Sequence, residues 1–598
     1  MDLTPKFLSF ALAAALTASM SACSRTPSGA AQEPALGVRL SEAPAVRLEA
    51  TRDGRHLVFI TSPTAAAGPD VPEGIRLGTM AAVPSEGGAV RRLGTGVSTL
   101  EGAYQLSGSR LAFLEGFDIS KGAGTLSLAD LDKPEEAPRQ LAGSVTFHRF
   151  SPGGAALAYV ADGALHLMDM ATGSDAVIDR DVATFEFSAS ASKLLYRKPW
   201  AAGGGLFLAD VGSAGQGTSR SAPIQLAERV GDYGFSPDGR FVALTSRTAD
   251  GGAPYSTLVL SAEAPQRKVL AGERSGSFQF SPDGKVLAFI ADQTPGMPYG
   301  ELSLLSLDIE RTFSGADGRP GTEIRRLGGS VADFRFSPDG SAIAFRQNMQ
   351  NGKGQAWQEF QAVRVPSGEV RLHQKSKPKT FISFEFSGDG KELAFIRHNG
   401  AQLDLWRAAM ADSSAPEAVA PWTYEYHYVA PAGGTAEGLP LWYRGNCVRE
   451  GRDCTLFAAP PLTARASASA PSDVSPADAG APSQADGGTG APQPQAEKAP
   501  AYPRHPDLAR GISGFTLSPS GRRLFLHTPC LDVTDAFDLH WVDTAGVLET
   551  LPSRRLVDRH VLQNSLVALD PDGTRVAYVV TGKKRAGVYV AELPAPRR

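Results

Sequence analysis

Short runs of alternating apolar and polar residues recur along most of this chain. In FQFSPDGKVLAFIAD, residues 278–292, apolar side chains occupy alternate positions of the first segment and both faces of the second. Such a pattern predicts two strands, the second buried on both faces. Between them, Ser281-Pro282-Asp283-Gly284 combines a proline that presets φ, an aspartate that bonds nearby backbone and a glycine free to adopt positive φ. The pattern therefore predicts a strand, a tight turn and a second strand.

The predicted hairpin is repeated along the chain. Close copies are YGFSPDGRFVALTS from Tyr233, FRFSPDGSAIAFRQ from Phe334 and FEFSGDGKELAFIRH from Phe384, and looser copies bring the total to ten. The turn glycines Gly239, Gly284, Gly340 and Gly390 are 45, 56 and 50 residues apart. Further extended segments follow each hairpin, so we expect four strands per unit. Four-stranded units with apolar faces at this period predict the blades of a β-propeller.

The recurring motif FSPDG...LAF resembles the TolB-like, WD-type propeller repeat of bacterial periplasmic proteins. The resemblance covers residues 47–598 apart from one interruption, and it implies an all-β fold of four-stranded blades. Ten visible units and one degenerate unit exceed the roughly four to eight blades of a usual propeller. We therefore expect two rings, a first propeller of about six blades over residues 47–330 and a second propeller, or a continuation of the blades, over residues 331–598. Alternatively, Val38-Arg39-Leu40-Ser41 supplies the missing outer strand of the last unit and closes the structure between its two ends.

The interruption lies between Gly390 and Gly521. Part of it, residues 459–505, is rich in Ala, Pro, Ser and Gly and has hardly any large apolar residue. Because such a segment buries too little apolar surface to fold, we predict a disordered insertion. Residues 422–457 supply strands for one degenerate blade. Cys447 and Cys454 lie there, and in an oxidising compartment a disulfide between them would close a small loop.

The beginning of the chain has the pattern of an export signal. Lys6 precedes an apolar run over residues 7–20 that is short for a membrane span. The small residues before Cys23 resemble a bacterial lipoprotein signal, which implies a signal peptide over residues 1–23 and a lipid on Cys23; a plain secretory signal is the alternative. Residues 24–46 are expected to form a flexible tether. Ser24 after Cys23 favours the outer membrane over the inner one.

Composition narrows the range of partners. The 598 residues include 59 Lys and Arg, 63 Asp and Glu, and 42% hydrophobic residues. This hydrophobic content supports folded cores, whereas the near balance of charges gives no field for a polyanion, so nucleic acid is not expected as a partner. No cofactor and no metal site are predicted, because the four cysteines and ten histidines are scattered.

No catalytic residue is predicted from the sequence. The resemblance raises one enzyme class, since TolB-like propellers also form the front half of prolyl-oligopeptidase-type peptidases. Those peptidases carry a Gly-x-Ser-x-Gly elbow, but here the repeats continue to Val590 and no such elbow occurs. The alternatives are an enzyme built on the propeller itself, such as a polysaccharide lyase or a glycoside hydrolase, and an inactive relative of the peptidase propellers.

One aromatic segment departs from the repeat. If residues 422–428, WTYEYHY, are extended, alternation puts four aromatic side chains on one face: Trp422, Tyr424, Tyr426 and Tyr428. Exposed, this face would suit sugar rings or an apolar patch on a partner, because aromatic residues are enriched at recognition sites. Buried, it would replace the missing repeat core. We expect burial and keep these four residues as the candidate binding face.

The function expected from the sequence is binding or scaffolding. A lipid-type signal, repeats that continue to the end of the sequence and the lack of an assembled catalytic motif together predict an exported, lipid-anchored propeller at the cell envelope. Loops around the central channel, rather than the shared hairpins, would select a protein or glycan partner.

Overall fold

The computed structural model describes residues 36–65, 74–211, 222–247, 255–293, 299–351, 353–399, 402–428, 440–447, 453–462, 502–505, 507–529, 535–544, 554–582 and 584–596. Within these ranges the chain has 42 strands and two single-turn 3-10 helices, Trp200–Ala202 and Thr312–Ser314. None of the described helices has the length and apolar character needed to cross a membrane. The predicted signal over residues 1–23, Cys23 and residues 463–501 of the predicted insertion lie outside the described residues. The all-β prediction is confirmed.

The described strands form eleven units of four antiparallel strands, called blades 1 to 11 below. Blade 1 contains β2 (Ala45–Ala50), β3 (His56–Ala65), β4 (Arg76–Pro84) and β5 (Arg91–Ser98). Blade 2 contains β6 (Tyr104–Ser107), β7 (Arg110–Asp118), β8 (Ala123–Asp130) and the first half of β9 (Arg139–Phe150). Blade 3 contains the second half of β9, β10 (Ala156–Ala161), β11 (Ala164–Asp169) and β12 (Asp175–Asp179). Blade 4 contains β13 (Thr184–Phe187), β14 (Lys193–Arg197), β15 (Leu206–Asp210) and β16 (Ile224–Ala227). Blade 5 contains β17 (Val230–Phe235), β18 (Phe241–Ser246), β19 (Ser256–Ser261) and β20 (Lys268–Gly272).

The remaining blades follow the same order. Blade 6 contains β21 (Phe278–Phe280), β22 (Val286–Ala291), β23 (Gly300–Ser306) and the first half of β24 (Ile324–Phe336). Blade 7 contains the second half of β24, β25 (Ala342–Gln350), β26 (Ala356–Arg364) and β27 (Val370–Ser376). Blade 8 contains β28 (Phe381–Phe386), β29 (Glu392–Asn399), β30 (Gln402–Ala409) and β31 (Glu417–Ala420). Blade 9 contains β32 (Thr423–Tyr428), β33 (Leu441–Gly445), β34 (Cys454–Ala459) and β35 (Ala509–Ile512). Blade 10 contains β36 (Gly514–Leu517), β37 (Arg523–Pro529), β38 (Ala536–Asp543) and β39 (Arg555–Leu562). Blade 11 contains β40 (Val567–Ala568), β41 (Arg575–Val580), β42 (Gly587–Glu592) and β1 (Val38–Arg39).

The repeated turn is held by a small hydrogen-bond network. In blade 6 the Ser281 hydroxyl donates to Asp283 Oδ1 at 2.7 Å, and the same oxygen accepts the Lys285 N–H at 3.1 Å. Ser281 Oγ also accepts the Val286 N–H at 2.9 Å. Gly284 has φ of 70°, a conformation that side chains disfavour. The Ser-x-Asp-Gly pattern therefore specifies this turn through hydrogen bonds and backbone freedom together.

Eleven hydrophobic clusters pack each blade against the next. The cluster between blades 6 and 7 includes Ile290 and Phe345, and the cluster between blades 11 and 1 includes Val579 and Phe59. Among the described residues, no core cluster joins blade 6 to blade 1 or blade 7 to blade 11, as two rings would require. The expected division into two rings near residue 330 is not found, because β24 continues through it. The blades form one closed circuit, because each blade packs against the next and blade 11 packs against blade 1.

The circuit is closed by the beginning and the end of the described chain. Val38 pairs with Val590 and Arg39 with Tyr589, so β1 is the outer strand of blade 11. The Leu36 N–H also donates to the Val557 carbonyl at 2.9 Å. Residues 36–46 of the predicted tether therefore belong to the folded body, because they satisfy the free edge of β42. The alternative placing of Val38-Arg39-Leu40-Ser41 on the last unit is confirmed.

Both flanks of the predicted insertion pack onto blades 8 and 9. Ala459 is fully buried, and the Leu462 N–H donates to Glu392 Oε1 at 2.8 Å. On the other side, the Tyr443 hydroxyl and His505 Nδ1 are 2.8 Å apart. The predicted boundaries of 459–505 are therefore too wide, since residues 459–462 and 502–505 make specific contacts.

Candidate functional site

The first strand of each blade lies at the inner edge of the ring. Hydroxyl contacts join first strands of neighbouring blades: Tyr104 to Glu49 at 2.8 Å, Thr184 to Tyr233 at 2.8 Å and Ser383 to Tyr426 at 3.0 Å. Blades arranged in a circuit diverge outwards, so strands that meet from blade to blade lie on the narrow side, around the central channel. These strands form what we call the inner wall.

One position per blade places its side chain on the inner wall. It is the middle residue of the apolar-x-apolar segment before the turn, because its two neighbours pack into the blade cores. From blade 1 to blade 11 this position is occupied by Glu49, Gln105, Arg149, Glu186, Gly234, Gln279, Arg335, Glu385, His427, Thr516 and Ala568. Charged and polar residues dominate the set, so the wall offers specific hydrogen-bonding groups to whatever enters the channel.

The aromatic segment of blade 9 divides into an exposed and a buried half. Trp422 precedes β32 with φ of 52°, and the strand register shifts between Thr423 and Glu425. As a result Trp422 and Tyr424 are 43% and 44% exposed, whereas Tyr426 and Tyr428 are 7% and 8% exposed. The expected single face of four aromatic side chains is therefore not formed, because strict alternation fails at the bulge.

The buried half replaces the missing repeat core. Tyr426 and Tyr428 belong to the cluster that packs blade 8 against blade 9. Burial raises the pKa of Tyr426 to about 12. The Tyr428 hydroxyl donates to Glu392 Oε2 at 3.1 Å, and burial together with the charge of Glu392 raises the Tyr428 pKa well above its ordinary value. Both phenols therefore stay neutral, and their hydroxyl groups make structural hydrogen bonds.

The exposed half is extended by a residue of blade 8. Ile382 lies three residues before Glu385, as Tyr424 lies three before His427, so the two side chains occupy matching positions on adjacent first strands. Ile382 is 46% exposed. We call Ile382, Trp422 and Tyr424 the shelf. Exposed apolar groups near charged residues are typical of recognition surfaces.

A charged cluster follows the shelf along the same strands. His427 Nδ1 lies 3.4 Å from Glu385 Oε2 of blade 8, and His427 Nε2 lies 3.7 Å from Glu425 Oε1. Arg444 Nε donates to Glu425 Oε2 at 2.7 Å. Half of the His427 side chain is exposed. We call His427, Glu385, Glu425 and Arg444 the His427 cluster.

The cluster holds His427 in its charged form. Hydrogen bonds to Glu385 and then Glu425 raise the pKa of His427 to about 9. Burial opposes ionisation of Glu425, but the hydrogen bond from His427 and the charge of Arg444 hold its pKa below the ordinary value. At neutral pH the imidazolium therefore joins two carboxylates, whose oxygens can accept further hydrogen bonds on the wall.

A disulfide lies next to this cluster. The Sγ atoms of Cys447 and Cys454 are bonded, which confirms the predicted pair. The bond links the segment after β33 to the start of β34, and Cys454 is fully buried. Arg444 reaches the Cys454 sulfur at 3.4 Å with the nitrogen not used for Glu425. The disulfide thus helps to hold the strand that carries Arg444.

The described residues contain no group of three or more His, Cys, Asp and Glu side chains arranged to hold a metal ion.

Sequence reasoning identified the aromatic residues of the shelf but missed the His427 cluster, because Glu385 and His427 come from different blades. The repeated middle position of the apolar-x-apolar segment was the available signal, since it marks one inner-wall residue in every blade.

Comparisons with known proteins give only distant structural likenesses. No family model matches the chain, and no curated protein matches it. An eukaryotic initiation factor structure has 12% identity and a TM-score of 0.36 over 63% of this chain and 88% of that one. The Cps50 (Swd1) β-propeller domain of Myceliophteria thermophila has 12% identity and a TM-score of 0.26 over 51% and 96% of the two chains. An oligogalacturonate lyase in complex with manganese has 16% identity and a TM-score of 0.28 over 62% and 98%. At these scores the propeller assignment rests on the strand order and blade packing described above.

Proposed function

We propose that this protein is an envelope-anchored bacterial lipoprotein whose propeller is a non-catalytic module that binds a protein or glycan partner. The observation that carries the proposal is the shelf, where Trp422 and Tyr424, at the beginning of the first strand of blade 9, are each more than two-fifths exposed. Aromatic side chains contribute large contact areas at little cost in conformational entropy, and they accept both sugar rings and apolar patches. The partner meets the inner wall at blades 8 and 9.

The His427 cluster supports the same role. Exposed aromatic groups supply affinity, whereas fixed charges and hydrogen bonds supply orientation and discrimination. His427, Glu385 and Glu425 hold one another at 3.4 to 3.7 Å, so the carboxylate oxygens are already oriented before a partner arrives. Such preorganisation lowers the entropic cost of binding.

The binding role is tested with shelf variants. Tyr424→Ala and Trp422→Asn remove the aromatic rings, and asparagine tolerates the positive φ at position 422. We expect both to weaken retention of envelope proteins and glycans on the immobilised protein. Trp200→Ala is the matched control, because Trp200 is 47% exposed but lies on blade 4 and not on blade 8 or 9. Equal retention by the shelf variants and the control would contradict the proposal.

The membrane anchor is a separate part of the proposal. The small residues before Cys23 support lipidation, and Ser24 supports the outer membrane as destination. Two acyl chains or more are needed for stable anchoring, as in bacterial lipoproteins. Palmitate labelling in cells should be present in the wild type and absent in Cys23→Ser. Undiminished labelling of Cys23→Ser would refute the anchor.

A second candidate function follows from the His427 cluster itself. A histidine between two carboxylates on a channel wall is also the kind of arrangement used for proton transfer, so a propeller-based polysaccharide lyase or glycoside hydrolase is the alternative. With its pKa raised to about 9, His427 is protonated at neutral pH, so in such an enzyme it would act as an acid and not as a base. Cleavage of any polysaccharide by the wild type, lost in His427→Gln and Glu385→Gln, would favour the enzyme.

A further inference from the structure

Blade 3 differs from blade 7 by one residue in its inner-wall turn. Residues 149–154 read RFSPGG, whereas residues 335–340 read RFSPDG, so Gly153 stands where blade 7 has Asp339. The turn otherwise keeps the common hydrogen bonds. The Gly154 N–H donates to the Ser151 carbonyl at 2.8 Å, and the Ala156 N–H donates to Ser151 Oγ at 2.9 Å.

The substitution leaves two donors without the acceptor that they have elsewhere. In blade 7 the Ser337 hydroxyl donates to Asp339 Oδ1 at 2.6 Å, and the Ser341 N–H donates to the same oxygen at 3.1 Å. Asp238, Asp283 and Asp389 accept the equivalent pair of bonds in blades 5, 6 and 8. In blade 3, the described residues offer no acceptor to the Ser151 hydroxyl or the Ala155 N–H. Ser151 is only 4% exposed, so water solvates this hydroxyl poorly.

A pocket opens at the same place on the inner wall. Its volume is about 420 Å³, and its walls include Ser151, Gly153, Gln105, Arg149 and Glu186 from blades 2 to 4. This volume lies within the range of small-molecule sites.

The pocket carries one positively charged group. The Arg149 guanidinium is exposed and stacks over the Phe147 ring at 5.5 Å. Within the described part of the chain, no carboxylate lies within ion-pair distance of Arg149, although the charge of Arg149 lowers the pKa of Glu186 against the larger effect of burial. Arg149 is therefore available to an anionic ligand.

We propose that this pocket binds a small ligand that bears a carboxylate, and that the ligand carboxylate takes the role of Asp339 in the blade 3 turn. Ser151 Oγ–H and the Ala155 N–H donate to it, and Arg149 supplies the opposite charge. Glu186 of blade 4 provides carboxylate oxygens, and Gln105 of blade 2, whose Oε1 also accepts the Phe150 N–H at 3.2 Å, provides a further acceptor. The ligand therefore carries a hydroxyl or ammonium donor next to its carboxylate, as hydroxy acids and amino acids do. This site goes beyond the partner-binding role, since it lies on other blades than the shelf.

The test measures direct binding of small probes to the purified chain without its signal. Saturation-transfer NMR is recorded with lactate, alanine, propionate and lactamide. We expect lactate or alanine to bind at millimolar concentrations, propionate to bind more weakly and lactamide, which has no charge, to give no saturable signal. The comparison of lactate with alanine identifies whether the donor is a hydroxyl or an ammonium group. No binding by any carboxylate, or equal binding by lactamide, overturns the proposal.

Three variants locate the binding. Arg149→Gln should weaken the affinity for the bound probe about tenfold, as expected for loss of one charge-assisted contact. Gly153→Asp supplies the turn with its own carboxylate and should abolish binding. Arg335→Gln is the matched control, because Arg335 holds the same position beside the complete turn of blade 7. Thermal unfolding checks that each variant is folded, and unchanged affinity in Arg149→Gln refutes the proposal even if Gly153→Asp does not fold. The outcome is independent of the shelf, whose variants should bind the probes as the wild type does.

Discussion

Gly284 of blade 6 lies directly against Asp238 of blade 5. A side-chain carbon at Gly284 would lie 3.0 Å from the carboxylate carbon of Asp238. The same aspartate accepts the Ser236 hydroxyl within its own turn at 2.6 Å. The next turn glycines repeat the arrangement, since Gly340 and Gly390 lie against Asp283 and Asp339. The Asp-Gly pair therefore couples neighbouring blades as well as shaping each hairpin.

The Gly284→Ala variant should be destabilised for two reasons. Its φ of 70° is unfavourable for any side chain, and the new methyl group would crowd the Asp238 carboxylate at 3.0 Å. We expect a loss of about 2 to 4 kcal/mol in the free energy of unfolding, from about 1 to 2 kcal/mol of backbone strain and a similar cost of overpacking. Urea unfolding followed by circular dichroism measures the change.

Gly318→Ala is the control for backbone strain. Gly318 also has φ of 70°, but nothing lies within 4 Å of the position that its side-chain carbon would take. This variant should lose only the strain component, about 1 to 2 kcal/mol. Equal losses in the two variants would argue against coupling between blades through the turn.

Tyr428→Phe should be more harmful than Tyr424→Phe. The Tyr428 hydroxyl bonds to the buried carboxylate of Glu392, whereas Tyr424 is 44% exposed. Losing a buried hydrogen bond to a charged group costs about 1.5 to 3 kcal/mol. We therefore expect a lower midpoint of urea unfolding for Tyr428→Phe and an unchanged midpoint for Tyr424→Phe. A similar midpoint for both would mean that the buried network contributes little.

His427 should make the folded state sensitive to alkaline pH. The folded pKa is about 9, above the ordinary value of 6.5, so the folded protein binds this proton more tightly than the unfolded chain does. The stabilisation is complete below about pH 6.5, declines as the pH rises towards 9 and is absent above it. Unfolding free energies measured from pH 6 to 10 should follow this course.

His427→Gln is the corresponding control. It should flatten the dependence of stability on pH over the same interval, and proton NMR of the wild type should assign the titration near pH 9 to this imidazole. A His427 pKa close to 6.5 would show that Glu385 and Glu425 do not hold the proton.

Removal of residues 36–41 should weaken the whole ring. These residues include β1, whose pairing with β42 satisfies the outer edge of blade 11. An exposed edge strand invites pairing with another chain, so we expect a lower melting temperature together with self-association. Differential scanning fluorimetry and size-exclusion chromatography measure the two effects. A truncation that removes only residues 24–35 is the control, and identical behaviour of both truncations would mean that β1 does not close the ring.

The hairpins and their number were predictable from the sequence, because the residues that determine each hairpin are close together in the chain. The alternating residues and the turn of blade 6 lie within fifteen residues of one another, at 278–292. The single ring was not predictable in the same way, since it depends on the packing of blade 11 against blade 1, in the cluster that includes Phe59 and Val579. Two rings and one ring use the same local pattern.

The candidate site was predictable only in part for a similar reason. The aromatic residues of blade 9 were visible as a run, but the bulge between Thr423 and Glu425 redirected half of them. Residues 423–425 include no glycine or proline, so the sequence does not indicate that bulge. The contact of His427 with Glu385 joins residues from two blades, so only the assembled inner wall brings them together.

The pairing of β1 with β42 also constrains the order in which the molecule folds. Val38 meets Val590, which makes this one of the contacts between the most distant residues in the sequence. Contacts of such separation form late, because the cost of closing the intervening loop is met only after local structure has formed. Blades 1 to 10 can therefore assemble one after another, each packing against the blade before it. Blade 11 must wait for β42, and until β42 is in place β1 has no partner strand in this sheet.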